Sequence, residues 1–194
     1  MNSIDKSTDA LYEINKSKFY SYAYPVFDVA SVDKIIDDLH IQYKDATHIC
    51  YACIMDSPKV ERAIDDGEPC GTAGKPLLEL LKKKKIDNTL VVVIRYFGGI
   101  KLGAGGLVRA YTTAGNMALD KARVVEFVKV DKYCAKIETS RGARLRQVIL
   151  ASGEILSERY EDKYIVEFTG EIKGLASQFK GLEIEMVGSE LRCR

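Results

Sequence analysis

Apolar positions in the first two-thirds of the chain switch repeatedly between the period of a strand and that of a helix. Leu11 to Tyr24 is dense in Tyr, Phe and Ile and ends at Pro25, which predicts one or two strands with a turn at Lys16-Ser17-Lys18. Val32, Ile35, Ile36, Leu39 and Tyr43 recur at helical spacing and form one apolar stripe. Ser31 suits the N-cap of that helix, and Asp33 sits where the dipole favours a negative charge. His48 to Met55 is a short, largely apolar run that fits a strand. From Asp56 to Gly74 the regular pattern stops, apart from a short strand expected at Val60 to Ile64. A loop of that length is uncommon unless it is functional or disordered. Pro76 opens a helix carrying Leu77, Leu78, Leu80 and Leu81, and Lys82 to Lys85 complement the dipole at its end. Leu90 to Ile94, mostly β-branched, reads as a buried strand. Leu107 to Ala122 is helical again.

Beyond about residue 130 the style changes. Tyr133, Ala135 and Ile137 alternate, and Leu145, Val148 and Ile149 make a short helix after Arg141. Ile155 to Tyr160, Tyr164-Val166-Phe168, a weak helix around Leu175 and Phe179, and Leu182-Ile184-Met186 complete the order βαββαβ. The expected class is α+β in two domains: 1–129, and a ferredoxin-like domain over 130–194.

Composition narrows the function. The chain of 194 residues is 46% hydrophobic, enough for a real core, and carries 29 Lys+Arg against 28 Asp+Glu. That balance excludes a disordered tail and a protein that coats nucleic acid by bulk charge. It also conceals an asymmetry: residues 1–74 carry a net −6, residues 75–129 a net +7, and the remainder is neutral. Such a split arises when two segments pair intramolecularly, or when one basic face meets phosphates. No apolar run approaches a membrane span, and the polar start, with Asp5 and Asp9, lacks the order of a signal peptide. The cysteines, odd in number at 50, 53, 70, 134 and 193, fit a reducing, cytoplasmic address.

The strongest chemical signal is Arg95-Tyr96-Phe97-Gly98-Gly99-Ile100-Lys101-Leu102-Gly103-Ala104-Gly105-Gly106-Leu107-Val108-Arg109. A buried strand ends, glycines follow, and a helix begins. Glycines let a ligand approach the backbone, and a helix N-terminus supplies unpaired N–H groups and partial positive charge, a combination that binds phosphate or carboxylate. Lys75, Lys101 and Arg109 add cations. The spacing is neither the dinucleotide fingerprint nor a P-loop, because Gly74-Lys75 is followed by Pro76. Asp65, Asp66 and Glu68 suit either a divalent cation such as Mg²⁺, or hydrogen bonds from Arg95 and the amides of Gly71 to Gly74. Nucleophilic catalysis has little support: the histidines are His40 and His48, and no serine sits in a Gly-x-Ser-x-Gly elbow. Cys50 and Cys53, three apart in a strand, point to opposite faces and read as core residues. Cys70, in the long loop, is the thiol open to reaction.

Ser17-Lys18-Phe19, Asp45-Ala46-Thr47-His48, the block from Asp65 to Pro76 and the block from Arg95 to Tyr111 together resemble the YigZ/IMPACT family over essentially the whole chain. The resemblance implies a two-layer α/β N-terminal domain like domain IV of elongation factor G, with a crossover of the uncommon left hand. It implies a C-terminal domain similar to that factor's last domain. Eukaryotic members regulate translation through a ribosome-associated activator of the amino-acid-starvation kinase, and RNA or ribosome binding is the usual proposal for bacterial ones.

The function expected is therefore a cytoplasmic, non-enzymatic, RNA- or ribosome-associated protein that modulates translation, with no cofactor. Its anion-binding residues would be Lys75, Arg95, Tyr96, Phe97, Gly98, Gly99, Lys101, Gly103, Gly105, Gly106 and Arg109, with the two aromatic rings stacking on bases. One alternative is an enzyme or binder acting on a small phosphorylated ligand, with Gly103 to Gly106 as cradle and Asp65, Asp66 and Glu68 on Mg²⁺. The other is a protein-binding adaptor that uses the sheet of the C-terminal domain.

Overall fold

The structure, a computed structural model, describes residues 1–57 and 59–193. The chain divides into two compact units, Met1–Phe127 and Val128–Arg194. The elements of the first unit are β1 (Asn2–Ile4), β2 (Thr8–Ile14), β3 (Ser17–Pro25), α1 (Val29–Gln42), β4 (His48–Asp56), β5 (Lys59–Ile64), α2 (Gly74–Lys84), β6 (Thr89–Tyr96) and α3 (Gly103–Leu119), followed by the start of β7 (Val124–Glu138).

Five strands form one antiparallel sheet in the order β2-β3-β6-β4-β5. The central strand β6 is buried along nearly all its length, and its two faces serve two cores. Val91 and Val93 pack with Leu77, Leu81 and Tyr111 of α2 and α3. Leu90, Val92 and Ile94 pack with Val32, Ile36 and Leu39 of α1. Helices thus cover both faces, three layers where two were expected, and that is why β6 reads as a continuous apolar run instead of an alternating one. The register also brings Arg95, Phe19 and His48 side by side at one end of the sheet.

Element boundaries moved where capping chemistry was ambiguous. The turn before β3 lies at Asn15 and Lys16, both with positive φ, one residue earlier than expected. Helix α1 is capped by Asp28 and not Ser31: the Asp28 carboxylate accepts from both the amide and the hydroxyl of Ser31 (2.7 and 2.8 Å). A carboxylate with two oxygens takes both donors, which makes the serine the capped residue. Helix α3 begins at Gly103, so Gly103, Gly105 and Gly106 form its first turn and not a loop before it. The polar start of the chain contains β1, which pairs with residues 124–126 of β7.

In the second unit the rest of β7 is followed by α4 (Thr139–Ser152), β8 (Gly153–Tyr160), β9 (Lys163–Gly170), α5 (Leu175–Gln178) and β10 (Glu183–Cys193). The strand order is β10-β7-β9-β8, with the β7–β9 and β8–β9 pairs antiparallel, as a βαββαβ unit gives when both helices return over one face. Leu145, Ile149, Leu175 and Phe179 close the core over Ala135, Ile137, Val166 and Phe168.

Candidate functional site

The long break in the pattern becomes a loop over residues 65–73, between β5 and α2. Asp65 holds it closed: its carboxylate accepts from the amides of Gly71 (2.7 Å), Gly74 (2.8 Å) and Ala73 (3.0 Å). Burial works to raise the pKa of Asp65, but the amides of Gly71, Gly74 and Ala73 outweigh it and hold the carboxyl below its usual value. Asp66, at φ +43°, accepts from the Ile49 amide (2.6 Å) and, through its carbonyl, from Nδ1 of His48 (2.7 Å). That bond places the imidazole proton on Nδ1 and leaves Nε2 aimed at Glu68, 3.9 Å away.

Glu68 turns inward and is 8% exposed. Its Oε1 accepts from Arg95 Nη1 (2.5 Å) and from the hydroxyl of Tyr111 (2.8 Å). The Cys50 thiol donates to the Asp65 carbonyl (2.9 Å) and lies 3.4 Å from the Tyr111 oxygen. Burial pushes both the thiol and the phenol far up, so neither ionises. The three acids therefore face three different protein partners. Among the described residues no group of three or more His, Cys, Asp or Glu is placed to hold a metal ion.

Arg95 is 5% exposed, with the ring centres of Phe19 and Phe97 each 5.4 Å from its guanidinium carbon. Its Nε is buried without an acceptor. Tyr96, the next residue, projects to the opposite face of the sheet. There it packs edge-on against Tyr20 and donates to Asp45 (2.9 Å), and burial together with that bond pushes its phenol up to about 12. Phe97 is 45% exposed. Its amide donates to Thr47 Oγ1 (3.0 Å), and that of Gly98 to Ser17 Oγ (3.1 Å). A side chain at Gly98 would meet the backbone of Lys16 at 2.0 Å, so this glycine is required by a close crossing of two chain segments.

The start of α3 is different. Leu102 occupies the N-cap without a side-chain hydrogen bond, so among the described residues no side chain caps the first-turn amides. Cβ atoms built at Gly103 and Gly105 meet nothing within 4 Å. Lys101 and Arg109 are exposed and, among the described residues, form no ion pair. A cavity of about 410 Å³ opens here, lined among others by His48, Glu68, Arg95, Phe97, Lys101 and Ala104. The structure thus joins Arg95, Phe97, Lys101 and Gly103 to Glu68 in one recess. Lys75 lies elsewhere, in a groove of about 690 Å³ between α2 and α3. Thr47, His48 and Tyr111 complete the arrangement without having been assigned roles. Tyr111 lies one helical turn after Leu107, a spacing that marks a core face but says nothing of its hydroxyl.

Much of the basic stretch is answered by the protein's own acids: Lys82 by Glu61 (2.8 Å), Lys84 by Asp120 (2.7 Å), Arg95 by Glu68 and Arg123 by Asp5 (3.2 Å). Three of these pairs join the basic stretch to the acidic one and offset part of its net +7, and what remains exposed includes Lys101 and Arg109.

A glycine-paved helix start over a buried Arg–Glu pair, on a five-stranded antiparallel sheet, defines a class of two-unit α+β proteins. Residues 15–119 match the Impact N-terminal domain family, and the chain belongs to the IMPACT family. It is 31% identical to the IMPACT family member YigZ of Escherichia coli over 77% of this chain and 75% of that protein. It is 45% identical to the IMPACT family member YvyE of Bacillus subtilis over 58% of this chain and 52% of the relative, so this match spans about half the relative's length. A solved crystal structure of a hypothetical protein superposes with a TM-score of 0.68 at 26% identity, covering 97% of each chain. No helix among the described residues is long and apolar enough to cross a membrane.

Proposed function

We propose that this chain is a translation-regulating protein that binds RNA, free or within the ribosome, through the first turn of α3 and the residues beside it. The observation that carries the reading is the uncapped turn at Gly103 to Gly106, whose only side chain is the methyl of Ala104, flanked by Lys101 and Arg109, which form no ion pair among the described residues. Backbone N–H groups that point outward with no competing carboxylate favour phosphate oxygens. The exposed ring of Phe97 offers a face on which a base can stack. Binding instead of chemistry fits the interior of the site, where Cys50 and Tyr111 are buried in their neutral forms and Glu68 is committed to Arg95.

Filter binding of single-stranded RNA across a salt series tests this. A site neutralising several phosphates gives a log–log slope of about −0.7 per phosphate. Lys101→Ala and Arg109→Ala should each make that slope shallower by about one contact, across all sequences. Binding that is absent near physiological salt, or indifferent to salt, removes the reading.

A further inference from the structure

We infer that the recess beneath the first turn of α3 receives a nucleotide bearing a terminal phosphomonoester. This deepens the RNA reading above and rests on it for the source of the ligand, either the end of an RNA chain or a free mononucleotide. The cavity of about 410 Å³ is of the size small-ligand sites have. Its inner wall is the pair Arg95 and Glu68, both buried. A ligand reaches this wall from the rim at α3, and the terminal phosphate of a nucleotide is the part that brings the most charge to that rim.

The chemistry divides between rim and interior. Arg95 and Glu68 neutralise each other, so the net positive character comes from the α3 amides and Lys101 at the rim. A phosphomonoester, with a charge of about −1.5 to −2 and three terminal oxygens, suits that rim better than a singly charged diester. Phe97 has its ring centre 5.4 Å from the guanidinium carbon of Arg95 and is 45% exposed, which offers a stacking partner next to a cation. On this wall the Arg95 Nε is buried without an acceptor, a donor that the protein itself leaves unanswered. His48 is fixed through Nδ1, with Nε2 on the Glu68 side, and its ring is part of the same lining.

The test is competition binding by fluorescence anisotropy. It uses short RNA oligonucleotides with a 5′-phosphate, a 3′-phosphate or hydroxyls at both ends, with AMP as competitor. One phosphorylated oligonucleotide should bind about tenfold more tightly than its hydroxyl twin, and AMP should compete for that gain. Ala104→Glu puts a carboxylate in the first turn of α3, where the helix dipole tolerates it, and should abolish the gain without lowering the melting temperature. Lys101→Glu, on the exposed rim, is the second variant should the first fold poorly. Equal affinity for all three oligonucleotides with no competition by AMP overturns the inference, and salt-dependent binding of the hydroxyl oligonucleotide would then leave the RNA reading standing. Binding of AMP alone, with no oligonucleotide bound, keeps the recess as a mononucleotide site and removes RNA as its source.

Discussion

In the stretch from Gly67 to Gly74, the amides of Gly71, Ala73 and Gly74 all end on Asp65; in the stretch from Gly98 to Gly106, only the first glycine is tied down, by Ser17. The two read alike in sequence: glycine-dense, irregular, each leading into a helix. One is nevertheless a closed structural device and the other an open edge. The difference lies in whether an acidic side chain reaches the amides. Asp65 lies six to nine residues before its amides, near enough to fold back on them. No acid lies between Asp87 and Asp120, and α3 starts uncapped. A carboxylate from outside the chain can take at the second stretch the part that Asp65 takes at the first, and so can a phosphate.

Breaking the closed side should cost the most. Glu68→Ala leaves the Arg95 guanidinium buried and unpaired, and should lower unfolding free energy in urea by about 3–5 kcal/mol. Asp65→Asn comes next, at about 2 kcal/mol, because neutral amide oxygen replaces a charged acceptor of three N–H groups. The depressed pKa of Asp65 gives this a pH signature. Its contribution is complete above the ordinary aspartate pKa of 3.8 and is lost as pH falls through the lower folded value. The wild type should therefore lose its advantage over Asp65→Asn in acid, in parallel urea titrations below that pH.

Paired glycine substitutions sharpen the contrast. Gly98→Ala forces Cβ into the backbone of Lys16 and should destabilise by about 1–3 kcal/mol. Gly105→Ala meets nothing and lies within a helix, so it should stabilise by about 1 kcal/mol while weakening RNA binding through its methyl group. A melting temperature that falls in Gly105→Ala would mean that this turn is held by contacts within the protein. The smallest effect belongs to Lys101→Ala: an unchanged melting curve with a shallower salt slope.

Those contrasts also mark how far a sequence can be read. The apolar run Leu90 to Ile94 announced β6, and the stripe from Val32 to Tyr43 announced α1, because burial imposes periodicity on local sequence. The second unit was equally legible from its alternating strands. That helices cover both sheet faces was not, since a fully apolar strand is compatible with several ways of covering it. At the site, the choice open to Asp65, Asp66 and Glu68 was between metal and internal donors. The structure pairs Glu68 with Arg95, 27 residues away, and with Tyr111, 43 residues away. No local pattern encodes a partner at that separation. Tyr96 shows the same gap: adjacent to Phe97 and aromatic like it, it projects to the other face of β6 by strand alternation and is bonded to Asp45.

The clasp that Asp65 makes on its own loop has a further effect on recognition. Because the protein supplies the carboxylate, that side of the recess is shaped before any guest arrives, and association need not spend ordering entropy on it. Uptake by such a ready-made receptacle should proceed with little backbone rearrangement, visible as hydrogen-exchange protection around residues 65–74 that is high from the outset and hardly rises on complexation.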